Sequence, residues 1–130
     1  IRMGKSGLSI TDNHFQLMYS SACEENDVIV ALSLSGYTKD IIDSLKVAKE
    51  QNAKIIAITN YLLSPVAQLA DCVLITTGKE NPLDGGSLTS KISQLYIIDL
   101  LSTGYALLNK DKVLNLKEKT AELLINKSAT

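Results

Sequence analysis

Three features of the sequence predict an α/β fold, a three-layer sandwich around a mostly parallel sheet. Apolar runs of strand length alternate with helical patterns along most of the chain. Those runs are rich in β-branched residues and do not alternate strictly with polar ones, which suits strands covered on both faces. The polar turns fall where a strand gives way to a helix, the order that builds right-handed β-α-β crossovers. At 130 residues, the chain fits one domain with one hydrophobic core.

The elements follow in order. "GLSI" (7–10) reads as a short strand, and residues 13–22 as a helix. "DVIVALS" (27–33) is the first continuous apolar strand. The helix expected over 38–52 sets Ile41, Ile42, Leu45 and Ala48 on one stripe, with Lys39, Asp43, Lys46 and Glu50 toward water. Asn52 is placed to end it in a left-handed conformation. "AKIIAIT" (53–59) is the next strand. "SPVAQLAD" then gives a short helix, with Ser64 as its cap and Pro65 at the first helical position, where no donor is lost. "CVLITT" (72–77) is a further strand, and "GKENPLDGG" (78–86) a polar loop rich in turn formers. A long helix is expected over 87–108, apolar on more than one stripe and so buried on several sides, for which a subunit interface is one route. A final helix is expected over 112–126.

Composition narrows the function. Apolar residues make up 45% and charged residues 21%, ordinary for a globular protein. A net charge of -1 and a pI of about 5.8 argue against a nucleic-acid surface, which needs a clustered basic excess. No uninterrupted apolar run reaches the roughly 18 to 20 residues that span a bilayer; the segment 92–108 is broken by Asp99 and several hydroxyl residues. No membrane association and a cytoplasmic location are therefore expected. Cys23 and Cys72 lie far apart without CxxC spacing, which favours a reducing cytosol and two small buried core residues over a disulfide or zinc. His14 has no second ligand near it, so no metal and no cofactor are expected.

The stretch "SLSGYT" (33–38) stands at the end of an apolar strand and at the start of a helix. In open parallel sheets ligands bind at that place. Gly36 lets the backbone turn tightly and approach a ligand closely, while Ser33, Ser35 and Thr38 can turn hydroxyl donors inward. The first amides of the following helix have no intrahelical partner, and its dipole favours an anion. Converging neutral donors at a helix start suit a phosphate group without a lysine. GxxxxGK[ST] and a dinucleotide fingerprint are both absent. Alternatively, Thr38 is a helix cap, Gly36 a turn residue and the serines solvated; Asp40 would itself repel a phosphate. Local physics leaves both readings open.

The longer pattern "VIVALSLSGYTKDIIDSLKVAKEQNAKIIAITN", with "SPVAQLADCVL" and "SLTSKISQLYIIDLL", resembles the sugar isomerase (SIS) domain, over about residues 3–101. It is most similar to the effector domain of RpiR-type bacterial transcriptional regulators. That resemblance implies a five-stranded parallel, flavodoxin-like sheet, a sugar phosphate as ligand and a homodimer or homotetramer. It implies that Ser33, Ser35 and Thr38 hold the phosphate, that Gly36 shapes the loop, and that Ser87 and Ser90 face the sugar. Capping is the plainer role for those last two. Lys91 stands where these regulators often carry a basic residue, and solvation explains it equally.

The chain departs from the family pattern at its start. SIS domains begin with a strand, a glycine/serine-rich turn and a helix, and "IRMGKSG" reads as the tail of that helix. Residues 1–130 are thus expected to be an SIS phosphosugar-binding domain, truncated at its N-terminus, with its first strand missing. A slot inside the sheet, between the strand near Leu8 and the strand at Val28, would expose unpaired backbone. The regulators' helix-turn-helix segment is absent, so DNA would be reached only through a domain outside this chain.

Three functions follow from the resemblance and the residues. The expected one is a non-catalytic phosphosugar sensor, with no catalytic residues, which controls DNA binding by an attached helix-turn-helix domain. The alternative is a phosphosugar aldose–ketose isomerase, which needs a general base; His14, Glu80 and Asp84 are its candidates, and Tyr37 stands where many SIS enzymes have Glu. The third is an interaction module that uses the long apolar helix.

Overall fold

The computed structural model describes residues 3–78 and 88–128. It contains five helices and three strands among those residues: α1 (Asn13–Ser21), β1 (Val28–Leu32), α2 (Lys39–Glu50), β2 (Lys54–Thr59), α3 (Pro65–Leu69), β3 (Cys72–Ile75), α4 (Leu88–Leu108) and α5 (Lys110–Ser128). The strands form one parallel sheet in the order β1-β2-β3. Register runs from Val28 opposite Lys54 to Leu32 opposite Ile58, and from Ile56 opposite Cys72 to Thr59 opposite Ile75. The chain divides into two compact units, residues 10–97 and residues 1–9 with 98–130.

The larger unit holds the sheet. Its core joins Ala31, Ile55 and Ala57 of the sheet to Leu45 of α2 and Val66 of α3, with Ile29, Ile41, Ile42, Leu69 and Ala70 packed around them. Alternate residues of a strand share one face, so Ile29 and Ala31 belong to the face that meets α2 and α3. The opposite residues of β1, Val28, Val30 and Leu32, are exposed. Covered strands were expected on both faces. That holds for β2, where Ile55, Ala57, Ile58 and Thr59 are all buried, and fails for one side of β1.

Local chemistry accounts for the element ends. Asp12 caps α1, accepting from the amide of Phe15 at 3.0 Å. Asn52 takes φ +62° after α2, and the amides of Asn52 and Ala53 return to the carbonyls of Lys49 and Ala48, the bonding of a left-handed helix terminator. Ser64 caps α3 by accepting from the amide of Ala67, and Pro65 opens that helix. Asp71 ties β3 to β2, its carboxylate accepting the amide of Ile55 at 2.8 Å while its own amide donates to the Ile55 carbonyl at 2.9 Å.

Four expectations are corrected. "GLSI" pairs with no strand and has no regular structure; a four-residue segment with two apolar side chains has nothing to hold it extended without a neighbouring strand. With the family's first strand missing, four of its five strands were expected here; the sheet has three among the described residues, because 7–10 is not one of them, and β1 pairs there with β2 alone, so its other side is an edge. The cysteines are not core residues: Cys72 is exposed and Cys23 half-buried, its thiol donating to the Tyr19 carbonyl at 3.3 Å. Burial, and then the charge of Asp27, push the Cys23 thiol above its usual range. Finally, α4 was expected to be buried on several sides, but within the chain only Ser90 of its residues is buried.

In the smaller unit, Val113 of α5 is buried at 3% exposure. Gly4, at φ +70°, lies against the side chain of Leu116. The ammonium of Lys5 sits 5.7 Å from the centre of the Tyr105 ring.

Candidate functional site

The ladder between β1 and β2 delivers the hydroxyl-rich turn to the carboxyl end of the sheet. Its last rung is the Ser33 amide donating to the Ile58 carbonyl at 3.1 Å. Beyond it the chain folds back on itself. Ser33 is 4% exposed, and its Oγ accepts from the Gly36 amide at 3.1 Å and lies 3.2 Å from Thr38 Oγ1. Ser35 Oγ accepts from the Tyr37 amide at 3.2 Å. The four residues named from the sequence, Ser33, Ser35, Gly36 and Thr38, are therefore brought together in one hydrogen-bonded turn.

Neighbouring elements fix this turn from below. The Leu34 carbonyl accepts both the Asn60 amide, at 2.9 Å, and the Thr59 hydroxyl, at 3.1 Å. The Gly36 carbonyl accepts the Val66 amide of α3 at 3.1 Å. Gly36 has φ +70°, and a Cβ there would fall inside contact distance of Ser64 Oγ and 3.0 Å from Thr59 Oγ1. Two requirements meet at Gly36: a left-handed backbone, which other residues resist, and no room for a side chain.

Thr38 precedes α2 in the capping position, yet makes no side-chain capping bond. Its hydroxyl faces Ser33 instead. The opening amides of α2 thus have no side-chain acceptor from Thr38 and sit at the positive end of the helix dipole. Asp40, the acidic residue of that first turn, accepts from Asn13 Nδ2 of α1 at 2.6 Å, a bond that holds its carboxylate to α1. The arrangement offers neutral donors at a helix start, the chemistry that accommodates an oxyanion.

The other sequence candidates divide. Ser90 lies in the first turn of α4, fully buried, and its Oγ has no hydrogen-bond partner among the described residues. Gly78 approaches it closely, since a Cβ on Gly78 would collide with the Ser90 side chain. Lys91 and His14 are exposed. Ser87, Glu80 and Asp84 lie outside the described residues. Sequence reasoning missed the supports beneath the turn, Thr59, Asn60 and Ser64 in its second role. Their only signal was a cluster of polar residues directly after an apolar strand.

Comparison with known proteins decides the family. The SIS domain model matches residues 9–104. The chain belongs to the SIS domain family. An HTH-type transcriptional regulator of Clostridium perfringens is 36% identical over 126 residues, covering 97% of this chain and 45% of the relative. The HTH-type transcriptional regulator RpiR of Escherichia coli K12 is 32% identical over 124 residues, covering 95% of this chain and 42% of the relative. This SIS chain thus spans less than half the length of those relatives. Among solved structures, the Vibrio vulnificus NanR protein complexed with ManNAc-6P is similar with a TM-score of 0.86 and 29% identity, over 99% of this chain and 48% of that one. The sugar isomerase domain of an RpiR transcription factor from Sphaerobacter thermophilus shares the fold, with a TM-score of 0.68, 23% identity, and coverage of 83% and 58%.

Proposed function

We propose that this SIS domain binds a sugar phosphate through the turn at Ser33, Ser35, Gly36 and Thr38, and acts as the sensing part of an RpiR-type transcriptional regulator. The observation that carries the reading is the uncapped start of α2, with Thr38 turned to Ser33 rather than to the helix amides. The phosphate would take the opening amides of α2 and the hydroxyls of the turn. Ser90, buried with a free hydroxyl, and Ser87 would serve the sugar side of the site. NanR, similar along nearly the whole of this chain, was solved with a sugar phosphate, and the regulator relatives support a sensing role over catalysis.

Residues 1–130 are, in this reading, the ligand-binding part of a longer polypeptide, and contact with DNA would come through a helix-turn-helix domain outside it. A ligand controls such a regulator only if it binds one arrangement of the subunits better than another. The subunits would meet through α4, where Leu88, Ile92, Leu95 and Tyr96 form an exposed apolar stripe at helical spacing. Burial of that stripe between two copies gives the homodimer, and a second such contact the homotetramer. No described helix is long and apolar enough to cross a membrane, which accords with a cytoplasmic regulator.

The test is calorimetric titration of hexose phosphates, ManNAc-6P first, into the protein and its Ser35→Ala, Thr38→Ala double variant. Affinity should fall tenfold or more, about 1.4 kcal/mol, with the melting temperature nearly unchanged. An unchanged affinity would remove the site. Turnover of a phosphoketose, lost in His14→Ala, would instead establish an isomerase.

A further inference from the structure

Asn60 follows β2 and touches two structures at once. Its backbone amide donates to the Leu34 carbonyl inside the turn, at 2.9 Å. Its side chain reaches the other way. Asn60 Oδ1 accepts from the Thr76 hydroxyl, and Asn60 Nδ2 donates to the Gly78 carbonyl at 3.4 Å, just beyond β3. That short stretch is in turn joined to α4: the Ser93 hydroxyl shares its one proton between the Thr89 carbonyl at 2.9 Å and the Thr77 carbonyl at 3.1 Å, and Gly78 packs against Ser90. Thr76 is buried, and its amide continues the ladder by donating to the Thr59 carbonyl at 2.9 Å. A continuous run of hydrogen bonds and contacts therefore leads from Leu34 through Asn60 and residues 76–78 to the first two turns of α4.

We propose that Asn60 is a positioning residue that couples occupancy of the turn to the order of the β3 exit and the start of α4. The inference rests on the reading of the turn as a phosphate site. A bound anion restrains the backbone around Leu34, and restraint at one end of a bonded chain lowers the entropy cost of order at the other. Both side-chain bonds of Asn60 run to residues 76–78, so its truncation severs this route while its backbone amide still supports the turn. The residue supplies the link because an amide side chain offers an acceptor and a donor together. Aspartate keeps the acceptor for Thr76 and loses the donor to Gly78.

Hydrogen exchange with inorganic phosphate as probe tests the coupling, with phosphate raised until protection at residues 34–40 saturates. In the unmodified protein, phosphate should slow exchange both there and at residues 76–78 and 91–94, the latter by about fivefold or more. In Asn60→Ala, protection at 34–40 should still respond while the response at 76–78 and 91–94 falls to what the link through Thr59, from Leu34 to Thr76, still carries; in Asn60→Asp the fall should be smaller. Should Asn60→Ala fail to fold, Thr76→Val, which removes only the hydroxyl bonded to Asn60, should lower the response at the same residues. An undiminished distant response in a folded variant overturns the proposal and leaves the phosphate site standing. No protection at 34–40 in the unmodified protein overturns the phosphate site itself, and the coupling with it.

Discussion

Thr38 and Ser64 hold equivalent places, each the residue before a helix that follows a strand of the parallel sheet. Ser64 is fully buried and its hydroxyl closes the start of α3 by accepting from Ala67. Thr38 is exposed, leaves the start of α2 uncapped and pairs with Ser33. The loop before Thr38 carries a left-handed glycine and two further hydroxyls, while the loop before Ser64 carries the exposed Tyr61, Leu62 and Leu63. The same residue chemistry thus caps one helix and leaves the other without a side-chain cap. What separates the two is whether the local backbone turns the oxygen toward the helix amides or away.

The largest effect should come from the glycine on which this contrast depends. Gly36→Ala places a Cβ against Ser64 and Thr59 and forces a left-handed backbone on a residue that resists it, a cost of about 1–3 kcal/mol for the backbone alone. Thermal melting should show a drop of several degrees, and phosphosugar binding should disappear. A stable variant that still binds would mean the turn is less constrained than its contacts indicate.

Next come the two hydroxyls themselves. Ser64→Ala should cost about 1 kcal/mol, the usual worth of a cap, and leave affinity close to unchanged. Thr38→Ala should do the reverse, with melting nearly constant and affinity lower. Equal stability losses in the two variants would erase the difference between the loops.

Introducing a charge on the exposed stripe of α4 should have a milder effect on the folded chain. Ile92→Glu with Leu95→Glu should leave the melting temperature of the isolated subunit within a few degrees, since both side chains are exposed in the chain, while sedimentation shifts toward the monomer. An unaltered sedimentation coefficient would place the subunit contact elsewhere. The smallest effect concerns the thiols. Alkylation at neutral pH should be slower at Cys23 than at Cys72, because the thiolate is the reactive form and burial with Asp27 keeps Cys23 protonated. Labelling at equal rates would contradict that.

Much of this was legible in the sequence where local chemistry dominates. The helix stripe of Ile41, Ile42, Leu45 and Ala48, the left-handed Asn52, the Ser64–Pro65 start and the hydroxyl turn all follow from spacing and residue type, and each is observed. What was not legible depends on partners distant in the chain. Nothing in "GLSI" tells whether a neighbouring strand exists to pair with it. Nothing in "DVIVALS" tells that one face of β1 stays open, because an apolar residue reads the same whether covered or not. Cys72 fits a strand pattern as well exposed as buried. The orientation of Thr38 was likewise undecided between cap and ligand donor, since that choice rests on a dihedral angle and on the position of Ser33.

The most direct test is a nuclear magnetic resonance titration of backbone amides with a hexose 6-phosphate and, separately, with the same hexose lacking phosphate. The phosphorylated sugar should move the amides of Ser35, Gly36, Tyr37, Lys39 and Asp40 most, and the plain sugar should leave them in place. Equal shifts from both sugars, or the largest shifts away from this turn, would contradict this.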